Sequence, residues 1–166
     1  AGNDTIDGSD GTDAADITSG GTDTIEINSL TGKITVTGFA SGDIIDIENA
    51  KFDGAETAVT AAASSAIDVA SNRTIVSTIN AGSSSAISSG SETIADFTDL
   101  TDVAAYLEEG FAVASNEEFV FVLNDGTDSY VYINDNGNNT VIASGDLSLA
   151  AVVKDYTLAA ADVSQS

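Results

Sequence analysis

The sequence contains no cysteine and no histidine. Without cysteine there is neither a disulfide nor a thiolate metal site. Without histidine the usual zinc ligand and the usual general base are both missing. A histidine-based catalytic triad is therefore impossible, and no serine lies in the G-x-S-x-G setting of a nucleophile elbow. Basic residues are almost as scarce. Lys and Arg total 4 against 27 Asp and Glu, a formal net charge of -23 over 166 residues. So few cations cannot neutralise a phosphate backbone, which excludes nucleic acid as a partner. No apolar run approaches the roughly 18 residues that a membrane span requires. The start shows no Met, no basic segment and no apolar stretch, so no signal peptide is expected there. It reads as the start of a chain cut from a longer protein or matured by cleavage.

What is present is acid and aliphatic residues. A compact chain this acidic repels itself. Such a chain is disordered, adapted to high salt, or neutralised by bound cations. Disorder fits poorly with a 42% apolar content and with the run Phe119-Val120-Phe121-Val122-Leu123, because disordered acidic segments are poor in β-branched and aromatic residues. Salt adaptation and cation binding both remain open on composition alone.

Strand signals dominate the pattern. Ile34 and Val36 alternate with polar residues, Ile44, Ile45 and Ile47 follow the turn at residues 40–43, and residues 74–79 form a further β-branched run. Residues 49–72 are ambiguous, and 80–91 read as a Ser/Gly-rich loop. Residues 118–124 and 129–134, separated by Asp125-Gly126-Thr127-Asp128, predict a hairpin. One helix is expected near 99–109, where Leu100, Val103, Ala104 and Leu107 form a single apolar stripe. Thr98 or Asp99 caps its start and Gly110 its end.

Residues 1 to about 27 repeat. Gly2-Asn3-Asp4-Thr5-Ile6 is followed by Gly11-Thr12-Asp13-Ala14-Ala15 and by Gly21-Thr22-Asp23-Thr24-Ile25, with the Asp positions nine and then ten residues apart. This resembles the nonapeptide repeat of RTX proteins, in which a Gly/Asp turn alternates with a short strand carrying a large aliphatic residue. Glycine permits the turn conformations, and turn carbonyls with Asp carboxylates supply the hard oxygens that Ca²⁺ prefers. The resemblance implies calcium as the bound ion and assigns Gly2, Asp4, Gly11, Asp13, Gly21 and Asp23 to its sites. Asp4 and Asp23 are the expected cooperating pair, with Asp13 on the opposite edge. The copies are degenerate: Ala15 stands where an aliphatic residue belongs, and the third unit carries an extra residue. Residues 39–47 also resemble the strand that often follows RTX repeats, 119–132 the hairpin near the C-terminus of type I secretion substrates, and 158–163 that family's closing segment. That family includes metalloproteases, lipases, adhesins and surface-layer proteins, so the resemblance implies a delivery and calcium module more than one activity.

Other acidic groups compete for attention. Asn124, Asp125 and Asp128, and likewise Asn134, Asp135, Asn136 and Asn138, read as hairpin turns first and calcium sites second. Neither matches an EF-hand loop, which closes on a bidentate Glu. A carboxylate pair for glycoside hydrolysis remains open by count, but the acids read better as a solvated or cation-neutralised surface. The chain is not expected to be an enzyme.

These readings combine into an all-β chain: a short parallel β-roll over residues 1–48, leading into a β-sandwich-like domain over 49–166 with the one helix. The expected function is a calcium-dependent extracellular structural module of a bacterial surface layer, adhesin or filament, folding on secretion. Its partners would be copies of itself or other surface proteins. The alternative is a C-terminal secretion and folding module of an exoenzyme. A third option is a salt-adapted carbohydrate-binding β-sandwich.

Overall fold

In the computed structural model the described residues are 5–7, 12–18, 20–28, 32–47, 59–60, 67–69, 73–78, 94–113, 118–135 and 141–165. The first five strands are β1 (Thr5–Asp7), β2 (Thr12–Asp16), β3 (Thr24–Ile27), β4 (Lys33–Thr37) and β5 (Ile44–Ile47). Aliphatic residues alternate with polar ones in β3 and β4, β5 adds Ile44 at a half-buried position, and each strand buries one face. This is the period of a strand packed on one side.

Successive strands go to different sheets. β1, β3 and β5 pair in parallel in one sheet, and β2 pairs in parallel with β4 in another. Paired residues are 19 (Thr5–Thr24), 20 (Thr24–Ile44) and 21 (Thr12–Lys33) positions apart. One full circuit through both sheets therefore takes 19 to 21 residues.

The remaining strands are β6 (Val59–Thr60), β7 (Ile67–Val69), β8 (Arg73–Thr78), β9 (Phe111–Val113), β10 (Glu118–Asn124), β11 (Ser129–Asp135), β12 (Leu147–Val153) and β13 (Val163–Gln165). β10 and β11 form the antiparallel hairpin around residues 125–128. β12 continues it antiparallel to β11 on one side and runs parallel to β4 on the other. β13 pairs in parallel with β5. The result is a four-stranded sheet ordered β1-β3-β5-β13, a seven-stranded sheet ordered β2-β4-β12-β11-β10-β8-β6, and a separate β7-β9 pair. Strands from either side of residue 48 thus share both larger sheets.

The apolar stripe at 100–107 lies in α1 (Leu100–Gly110), the single α-helix among the described residues. Two cores result. Ile25, Ile27, Ile45, Ile47 and Val163 from the four-stranded sheet pack with Ile34, Val36, Val120, Val122, Val131 and Val153 from the seven-stranded one. On the opposite face Val103, Ala104, Tyr106 and Leu107 of α1 pack with Phe119, Phe121, Leu123, Tyr132 and Leu147. The centre of the seven-stranded sheet is buried on both faces. That explains the uninterrupted apolar run 119–123. The mainly-β class with one helix is therefore what the chain adopts.

Candidate functional site

Asp23 and Asp43 stand directly before β3 and β5, whose first paired residues are Thr24 and Ile44. Both acids are buried, 1% and 2% exposed. A buried carboxylate must be met by donors. Asp43 is met by backbone from two successive turns. The Asp23 N–H donates to its Oδ1 at 2.9 Å and the Ala40 N–H to its Oδ2 at 2.8 Å. The Asp43 N–H donates to the Ala40 carbonyl at 3.1 Å, and the Ile44 N–H to the Asp23 carbonyl at 2.9 Å. Asp43 therefore ties its own turn to the equivalent turn one circuit earlier. Gly21, with φ at 144°, opens the turn that delivers Asp23, a conformation that favours glycine.

This edge has the donor chemistry of a hard-cation site: carboxylates and turn carbonyls in adjacent loops. Each Asp43 oxygen accepts one N–H and keeps a second lone pair. Among the described residues no three carboxylates gather into a group that would hold an ion by themselves. Of the residues singled out from the repeat, Gly2, Asp4 and Gly11 lie outside the described residues. Asp13 lies within β2, in register with Ile34, and its side chain is not among those described. Gly21 and Asp23 stand at the edge. Asp43, which the repeat reading did not select, joins Asp23 there, and the expected pairing of Asp4 with Asp23 lies outside the described residues. The signal for Asp43 was available: Asp23-Thr24-Ile25 and Asp43-Ile44-Ile45 are the same Asp-x-Ile unit, 20 residues apart.

The hairpin turn 124–129 is a second acidic cluster, and protein donors fill it. The Asp125 carboxylate accepts the N–H groups of Thr127 and Asp128, both at 2.8 Å, and the Tyr130 hydroxyl at 3.1 Å. Burial opposes its charge. The N–H groups of Asp128 and Thr127, with Tyr130 and the Lys154 ammonium, nonetheless hold it below the usual carboxylate range. Burial and the Asp125 carboxylate push the Tyr130 hydroxyl well above its ordinary value. Asp128 accepts the Lys154 ammonium and, at 2.9 Å, the Asp155 N–H. That contact raises the Lys154 pKa against a smaller opposing effect of burial. The buried Ser129 hydroxyl, with one proton to give, donates to the Tyr156 carbonyl at 2.6 Å, lies against the Asn124 side-chain amide, and accepts the Leu158 N–H at 2.9 Å. This turn therefore clamps the connection between β12 and β13. A lysine already sits where a cation would have to go.

Across the four-stranded sheet, Asp7, Glu26, Asp46 and Ser164 are consecutive register partners, the last three half-buried. The Ser164 hydroxyl donates to Asp46 Oδ1 at 2.7 Å. Compared with protein-family models, with curated proteins and with solved structures, the chain matches none. No helix among the described residues is long and apolar enough to cross a membrane.

Proposed function

We propose that the chain is a calcium-dependent extracellular structural module of a bacterial surface layer, adhesin or self-assembling filament. It would fold on secretion as an RTX-type β-roll leading into a sandwich-like part, without catalysis of its own. The observation that carries this reading is the register Thr5–Thr24–Ile44, three parallel-paired positions each preceded by an Asp: Asp4, Asp23 and Asp43. The alternation of strands between two sheets supports it, because that is how nonapeptide units wind into a roll. The charge of -23 supports it too, since calcium relieves the repulsion that opposes compaction. Calcium bound only by the folded chain adds RT ln(1 + [L]/Kd) of stability per site. Extracellular sites with Kd of roughly 10⁻⁴ to 10⁻³ M would fill outside the cell and stay empty inside it.

The alternative, a secretion and folding module of an exoenzyme, draws on the pairing of β12 and β13 with β4 and β5, which makes the C-terminal residues part of the repeat sheets. One titration separates the readings. EDTA-treated protein is titrated with calcium while far-UV circular dichroism and light scattering are recorded together. A coil-to-β transition with rising scatter is expected for the assembling module. A transition without scatter favours the secretion module. Folding indifferent to EDTA would overturn both and leave salt adaptation as the account of the charge.

A further inference from the structure

We draw no further inference here: the strongest candidate, the buried side-chain amide of Asn134 between Phe119 of β10 and Leu147 of β12, carries nothing because no group among the described residues shows what completes it.

Discussion

Gly38 shows how tightly successive circuits are stacked. Its φ is 80°, and a Cβ there would lie 2.5 Å from Thr18 Cγ2 and 2.6 Å from the Thr18 backbone nitrogen. Because backbone is among the clashing atoms, no side-chain rotation relieves the contact. Gly38→Ala combines left-handed strain with overpacking, and roughly 2–4 kcal/mol of destabilisation is expected, read from urea denaturation midpoints. Asp43 works by a different route. Asp43→Ala strands the N–H groups of Asp23 and Ala40 that its carboxylate accepts. The Asp23 N–H is buried and the Ala40 N–H only partly so, and stranding them costs about 1–3 kcal/mol. Measured in EDTA, Asp43→Asn should lose less, since one oxygen remains to accept. Equal losses in the two variants would show that charge, and not the two N–H bonds, is what the turn needs.

Among the elements, the hairpin β10–β11 and the helix α1 follow from local pattern. Both rest on interactions close in sequence: the turn chemistry of Asp125 and Gly126, and the stripe Leu100, Val103, Ala104 and Leu107. β12 could not be read that way. Its register against β11 shifts between Val131 and Tyr132, so that Val131 faces Ala151 and Tyr132 faces Leu149, with Ala150 as the extra residue. A bulge of this kind switches the faces. Leu147 and Leu149 pack with the helix core, whereas Ala151 and Val153 pack with the other sheet. In simple alternation all four would share one face. The pairings β4–β12 and β5–β13 span more than 100 residues of sequence, and no short-range signal encodes them. Asp43 was missed for a related reason, since its role depends on the turn one circuit away and not on its own segment.

The hairpin turn also sets a pH response. Asp125 is held below the ordinary carboxylate pKa of about 4 in the folded chain. A group with a depressed folded pKa contributes its full stabilisation above the unfolded value and loses it as pH falls through the folded one. Acidification below about pH 4 should therefore weaken the clamp on residues 154–158, and Asp125→Asn should reduce that dependence. Solvent screening keeps the effect of this half-buried group below about 1 kcal/mol. Urea midpoints against pH for the two proteins are the check.

For the whole molecule, the decisive fact is that the last strands of the chain complete sheets begun by the first. β13 lies on β5, and the segment leading to it is held by Leu158, 1% exposed, by the Ser129 hydroxyl and by Tyr156, whose ring lies 4.9 Å from that of Phe39. Leu158 belongs to the same core as Ile25, Ile34 and Val120. A change there should be felt from the repeat strands to the hairpin, because no independent core separates them. Leu158→Ala removes buried methyl groups and leaves a cavity, which costs about 2–5 kcal/mol. A single unfolding transition at a lower midpoint is expected. Amide hydrogen exchange should lose protection in β3, β5, β10 and β11 together, as it does when residues open in one cooperative unit. Loss confined to β5 and β13, with β10 and β11 unchanged, would mean that the shared sheets unfold in separate steps. In that case the acidic repeat strands could loosen while the hairpin and helix persist, and the calcium response proposed for the chain would be confined to the repeat end.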